Sequence, residues 1–471
     1  MLSSRFEGVA VLDLEGLAGE GASRNRLCWF WVTRAVRAFV PLVAILLIGC
    51  QRPAPIPATS YEELRRELPI ELRAKKREVL ASENGWTLAL PSKEAFRATG
   101  DWSRLVGTDL SAPADHAEAH AALQHLAPIL DRLKAALARP RWQAPARNGD
   151  IDFRDLATFK TLAKALQLRA EVSLKDGRPQ AAIEDLILIR RLSDRMFEAG
   201  ENVIGYVVAA TVRQIGNRAL AEFATDPHVG RATLDAALAE VNEGRATDPH
   251  FARALGGEAA TFVSGIAKMH GPVESDSKTP ADLILRDHPN RLDLRGTVRL
   301  YGEALKEEIA NARRLWADQR AGTRRADLLR DWPKNVDDET SPPTPSEIAT
   351  ARHDLHGVPN ALGRKIVADT LGAYEGLPRL SFTVRASDSA TRTVLLLARE
   401  AKGGETMRDV PRDPFSEGAM RFDVKRNIVW SVGPNGKNDG GVGQPYRQNE
   451  PDLVWPLRAP KRSAPRLASP P

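Results

Sequence analysis

The sequence predicts a mainly α protein: an irregular helical domain containing one helical hairpin, followed by a small C-terminal unit of helix and β-hairpin. Three observations carry this expectation. Apolar residues recur at helical spacing in segment after segment from Ala114 to Arg320, strand-like alternation is confined to Met420–Val432, and 42% of the 471 residues are hydrophobic, enough to build a real core. The formal net charge of +6 is a mild excess for this length, not the gathered basic face that marks nucleic-acid binding. No nucleic-acid partner is expected.

Residues 39–49 read FVPLVAILLIG, an unbroken apolar run preceded by Arg34 and Arg37 with no acid between them. Basic residues followed by a short apolar run are the pattern of an export signal, and eleven residues fall short of the roughly 20 that cross a bilayer as a helix. The run ends Leu47-Ile48-Gly49-Cys50. This tetrapeptide resembles the lipobox of bacterial lipoproteins, which implies cleavage between Gly49 and Cys50 and a thioether-linked lipid on Cys50. Two or three acyl chains anchor stably where one does not, because each buried methylene contributes about 0.8 kcal/mol. Gln51, where the family's inner-membrane members carry Asp, implies an outer-membrane position facing the periplasm. Glu7, Asp13, Glu15 and Glu20 fit badly ahead of a signal's basic region, so translation is expected to begin near Val32, leaving residues 1–31 outside the protein. Of the two cysteines only Cys50 would then remain, and neither disulfides nor cysteine-built zinc sites are expected.

Residues 50–60 carry Pro53, Pro55 and Pro57 and read as a stiff tether. A helical domain is expected over 61–330, with helices at Ala114–Arg139, Leu156–Lys175, Ala181–Glu198, Val203–Thr225, Arg231–Val241, Phe251–Met269 and Gly296–Arg320. The second and third of these are joined by Lys175-Asp176-Gly177-Arg178-Pro179, where glycine suits a helix stop and proline the first turn of the next helix. Within this hairpin Leu166, Ala170, Gly177, Ala182 and Leu186 resemble the spacing of a tetratricopeptide repeat of roughly 34 residues. Ser173 stands where that family prefers tyrosine and no closing proline follows, so the resemblance implies one such hairpin, not an array. Pro333, Asp337, Asp338, Glu339, Pro342, Pro343 and Pro345 mark residues 331–346 as a linker. Beyond it, 347–457 should hold helices near Leu362–Tyr374 and Leu377–Ala401, then two strands with apolar faces Met420, Phe422, Val424 and Ile428, Trp430, Val432 around the turn Lys425-Arg426-Asn427. The tail 458–471 is expected to be disordered.

Asp413-Pro414-Phe415, the hairpin, the Gly- and Asp-rich run Ser431–Gly441 and Asp452-Leu453-Val454-Trp455 follow one another in an order that resembles the C-terminal end of the major pseudopilins of type II secretion. The same ending is similar to that of uncharacterised exported proteins of planctomycetes and their neighbours. The likeness covers residues 412–456 and implies a calcium site in the loop, with Asn435, Asp439 and Asp452 as side-chain ligands and glycines freeing the carbonyls; the alternative reading of the same residues is a glycine-rich turn with no metal. Lys437 excludes an EF-hand, and the lipobox and large helical region depart from a filament-forming pseudopilin. His116 and His120, four apart, share one helix face, but the string His-Ala-Glu-Ala-His lacks the glutamate that a zincin places directly after its first histidine. They are expected to be surface or capping residues, as are His353 and His356 around Asp354. Nucleophile elbow, phosphate loop and dinucleotide fingerprint are all missing from the sequence. The expectation is a membrane-tethered helical scaffold for a protein partner, with calcium as the one candidate cofactor. The alternatives are an exported enzyme, such as a hydrolase, with a scattered active site, or an accessory of envelope or secretion assembly. Convergence of buried histidines and acids in one pocket would favour the enzyme.

The lipobox gives a direct test. Cys50→Ser removes the thiol that receives the lipid, so metabolic labelling with a fatty-acid analogue should mark the wild-type chain and leave the variant an unlabelled precursor. Label persisting in the variant would refute lipidation at Cys50.

Overall fold

The computed structural model describes residues 58–457 apart from 74–78, 81, 92–101, 107–109, 111, 145–152, 201, 243–248, 269–291, 320–322, 334–343, 404–406, 408, 417 and 444–450. The export run, Cys50, most of the tether and the tail lie outside the described residues. The fold is mainly helical with a small C-terminal three-stranded antiparallel sheet.

Among the described residues two helices, α1 (Ala58–Arg65) and the short α2 (Gly85–Ala89), precede the long α3 (Pro113–Leu137), which starts on a proline and carries Pro128 inside. Asn84 caps α2 by accepting from Trp86 N, and Trp86 and Trp142 gather with Phe159 of α4 (Phe153–Lys175) in an aromatic cluster. The expected hairpin is formed by α4 and α5 (Pro179–Ala199). Gly177 takes the left-handed φ of +73° that closes α4, Arg178 N returns to Ser173 O at 2.8 Å, and Pro179 opens α5 with its φ already fixed. Ala170 and Ala182 are buried, and Arg169 pairs with Asp185 across the hairpin at 2.6 Å.

Asn202 caps α6 (Val203–Ala224) through Gly205 N. Gly216 lets α6 lie close on α5, since a Cβ there would stand 3.1 Å from Ile189 Cγ2. Then come α7 (Arg231–Glu240), α8 (Pro249–Lys268), α9 (Leu294–Ala312), α10 (Thr323–Leu328), α11 (Pro345–Leu355), α12 (Ala361–Gly372) and α13 (Leu377–Ala401). The stack α4–α5–α6 is the most extensive packing in the molecule; α13 lies on α6 and α7, α8 on α9 and α6, and α12 on α9 and α10.

Four expectations need correction. The helix expected to run to Arg320 ends at Ala312, because Leu315 turns extended (φ −65°, ψ 157°) and a 3₁₀ turn follows at Trp316–Asp318. The break turns Trp316 inward, with ring centroids 5.1 Å from Phe382 and 5.0 Å from Phe415. The end of the supposed linker is already helical: Thr344 and Glu347 form a capping box, with Pro345 in the first turn of α11. Nor do residues 331–346 lie between separate cores, since one hydrophobic cluster includes Leu64, Leu192, Val298, Leu395 and Trp455.

The fourth correction concerns the sheet. It has three strands, β1 (Arg421–Asp423), β2 (Ile428–Ser431) and β3 (Leu453–Pro456), paired antiparallel in that order with Phe422 opposite Val429 and Val429 opposite Trp455. The central strand is buried on both faces, so Val429 is enclosed as fully as Val432, and β2 rests on α13. At the sheet's edge, Phe422 and Val424 remain 37% and 62% exposed, and only Met420 of the expected first face is buried.

Ala182 touches no solvent, and overpacking a close helix contact typically costs about 1–3 kcal/mol. Ala182→Leu should therefore lower the melting temperature by several degrees; an unchanged melt would show that α4 and α5 do not meet at this residue.

Candidate functional site

The loop between β2 and β3 does bring Asn435, Asp439 and Asp452 together, with protein donors on several of their oxygens. Asn435 Nδ2 donates to Asp439 Oδ2 at 2.7 Å. The buried Asp452 carboxylate accepts from Gly441 N at 2.7 Å and from Asp439 N and Val442 N at 3.3 Å. Arg426 donates its guanidinium to the carbonyls of Gly440 and Gly441. A calcium ion here would have to displace a cation and three N–H donors, whereas calcium wants six to eight oxygens facing inward. Asp413 plays a matching role at the same end of β2, beside Ser431 and Val432. Its buried carboxylate accepts from Ser431 Oγ at 2.7 Å, Val432 N at 2.8 Å and Phe415 N at 3.0 Å, while burial still pushes it above the ordinary carboxylate range.

Sequence reasoning missed two buried polar groups. In the first, Asp388 of α13 accepts from Arg190 of α5 at 3.0 Å and Asn217 of α6 at 2.8 Å, with Arg213 Nε at 3.6 Å. Asn217 also accepts from Arg190 and donates to Ser387 Oγ at 3.1 Å. Burial works against the Asp388 charge, but Arg213 and Arg190 outweigh it and hold the carboxyl below its usual range. The visible signal was an arginine and an asparagine on apolar helix faces facing a Ser- and Thr-rich helix.

The second group is Glu258 of α8 with Tyr301 of α9 and Tyr374 just after α12. All three are buried; Glu258 accepts from Val203 N at 2.6 Å, and the two hydroxyls meet at 2.9 Å. Burial pushes Glu258 up to about 7 and, with the charge of Glu258, both phenols well above theirs. Tyr374 also lines an open cleft of about 560 Å³ with Glu308, Trp316, Arg325, Glu375 and Arg379. Burial, then Glu307 and Glu375, raises Glu308, and Arg325 binds Glu375 at 2.7 Å. The cleft thus gathers two carboxyls and two guanidinium groups, with a phenol pair behind them.

His116 and His120 are not isolated surface residues. Both face Asp176, in the turn between α4 and α5. His353 lies in the last turn of α11, with His356 as its C-cap.

Glu258 predicts a pH dependence of known sign. Its folded value lies above 4.5, so the folded state holds a proton that the unfolded chain releases, and the stability tied to that proton is complete below 4.5 and lost as pH rises through about 7. The loss amounts to about 3 kcal/mol. Glu258→Gln, which keeps an acceptor for Val203 N, should flatten this region of a urea-midpoint profile measured between pH 4.5 and 8; an unaltered profile would show that another group sets it. The chain matches no protein-family model, no curated protein and no solved structure.

Proposed function

We propose that the chain is a lipoprotein of the cell envelope, anchored through Cys50 and facing the periplasm, whose helical body serves as a rigid scaffold for a protein partner. The observation that supports this most is the stack α4–α5–α6 pinned to α13. Its buried charged and polar groups, Arg190, Asn217 and Asp388, bind one another across three helices instead of lining a cavity. Such an arrangement holds a large helical surface in one shape, which lowers the entropy lost when a partner docks. The tetratricopeptide-like hairpin at α4–α5 is the natural centre of that surface.

A second reading, an exported enzyme, is favoured by one observation: the cleft where Glu308, Tyr374 and Arg379 converge, backed by Tyr301 and Glu258. None of the described histidines lines it. An affinity pull-down of the lipidated chain from its own envelope separates the readings. A single protein recovered in stoichiometric yield, and retained by Glu308→Gln, supports the scaffold. Recovery of no such protein, together with a hydrolytic activity that Glu308→Gln abolishes, would replace it with the enzyme.

A further inference from the structure

Helix α3 sets His116 and His120 one turn apart, and α4 and α5 return the chain so that their connecting turn lies against that face. Asp176 stands in this turn, 56 residues from His120 in sequence. His116 Nε2 is 3.0 Å from Asp176 Oδ1, and His120 Nε2 is 3.3 Å from Oδ2 and 3.4 Å from Oδ1. The two imidazoles meet at right angles with centroids 4.7 Å apart, and one ligand atom from each of the three residues lies within 4.8 Å of the other two.

Three further features distinguish this cluster from a histidine–aspartate ion pair. His116 Nε2 is cut off from solvent and makes no hydrogen bond, despite the carboxylate oxygen beside it. A buried nitrogen left without a bond in such a position is one that an additional group between the ligands would satisfy. The Asp176 carboxyl is also held from outside the cluster. Arg178 Nη2 grips Oδ2 at 2.7 Å, fixing the carboxylate's orientation as outer partners of metal ligands do. Finally, the spacing fits. A tetrahedral ion with bonds of about 2.0–2.1 Å holds its ligand atoms about 3.3 Å apart, close to the 3.0 Å and 3.3 Å at which the two imidazole nitrogens already meet the carboxylate, so that only the two nitrogens need adjust to each other.

We propose that His116, His120 and Asp176 form a three-ligand site for a divalent transition-metal ion of the zinc class. Two imidazole nitrogens and one carboxylate oxygen suit zinc and its neighbours, whereas calcium and magnesium take oxygen donors. The side chains remain 27%, 44% and 21% exposed, so the ion enters from the His120 side and keeps one position for water or for a donor from a bound molecule. The ion ties α3 to the α4–α5 turn. Its binding is therefore coupled to the stability of the helical body.

The test uses the purified full chain stripped with chelator and titrated with Zn²⁺, with Mg²⁺ as the hard-ion control. One Zn²⁺ per chain should bind with heat release and raise the melting temperature, and Mg²⁺ should do neither. His120→Ala and Asp176→Asn should each weaken Zn²⁺ binding at least ten-fold, while His353→Ala leaves it unchanged. Co²⁺ in place of Zn²⁺ should give the visible absorption of a tetrahedral site, lost in His120→Ala. His120 is the most exposed of the three, so its variant keeps the fold if Asp176→Asn does not. Absence of saturable Zn²⁺ binding, or binding that His120→Ala leaves intact, would overturn the assignment.

Discussion

The contact on which the rest of the structure depends is the one between Asp388 and the pair Arg190 and Asn217. It joins α13, which comes late in the chain, to the α5–α6 pair formed near its middle, 198 residues away for Arg190. Removing one member of such a buried group strands the others, at about 3–5 kcal/mol, whereas replacing all of them by apolar side chains is often neutral. Its contribution is therefore register more than stability: apolar helices slide, but Asp388 has one position at which both donors reach it. Around it α13 is lined with small polar residues whose hydroxyls bond back along their own helix, as Thr391 does to Ser387 O and Thr393 to Ser389 O. The polarity of Thr391 and Thr393 is satisfied locally, and the small size of these residues lets α6 and α7 approach. The C-terminal unit follows from this placement. β2 rests on α13, and Trp316 fills the space between Phe382 and Phe415 while its Nε1 bonds Pro434 O at 3.1 Å.

What the sequence made legible follows from what periodicity encodes. The helices α3 to α8 and α13 were visible because each buries one stripe of a 3.6-residue repeat, and the hairpin turn was visible because Gly177 and Pro179 have local conformational reasons to be there. Two features failed for opposite reasons. α9 ends early although its apolar pattern continues, and beyond its end a 3₁₀ turn places Trp316 against the aromatic pair Phe382 and Phe415. α11 begins inside a stretch of prolines and acids although Thr344-Pro345-Ser346-Glu347 is a capping box in plain view; the surrounding composition outweighed it. The edge strand was misread because alternation shows which residues share a face, not whether anything covers that face.

The site residues were less legible, and the reason is distance along the chain. Asp413 and Asp452 were noticed as members of an ordered motif, and both are indeed focal points of the C-terminal unit. The motif's acids collect main-chain N–H groups beside the Ser431 end of β2, however, which makes them clamps for the glycine-rich loop that follows. Carboxylates recur at such turns for this reason as readily as for a metal. His116 and His120 were visible as a pair, but their third partner belongs to the hairpin turn, and nothing local links the two. The same holds for Tyr301 and Tyr374, whose hydroxyls meet across 73 residues.

Glu258 shows how magnitude decides between competing local effects. Its carboxyl accepts from Val203 N, the first residue of α6, where a helix N-terminus favours negative charge by about 0.3–1 kcal/mol, reaching roughly 2 kcal/mol in partly buried cases. Full burial opposes the charge by several kcal/mol and wins, leaving the group poised near neutrality. As a neutral acid Glu258 still accepts the Val203 N–H, one of the donors every helix leaves unpaired at its start. An apolar residue in its place would escape the cost of the charge but leave that N–H buried without a partner, at about 1–3 kcal/mol. Asn202 satisfies only Gly205 N at the same end. The start of α6 is thus fixed twice, once from its own chain neighbour and once from α8, and a buried carboxyl is tolerated because α8 reaches that N–H through it.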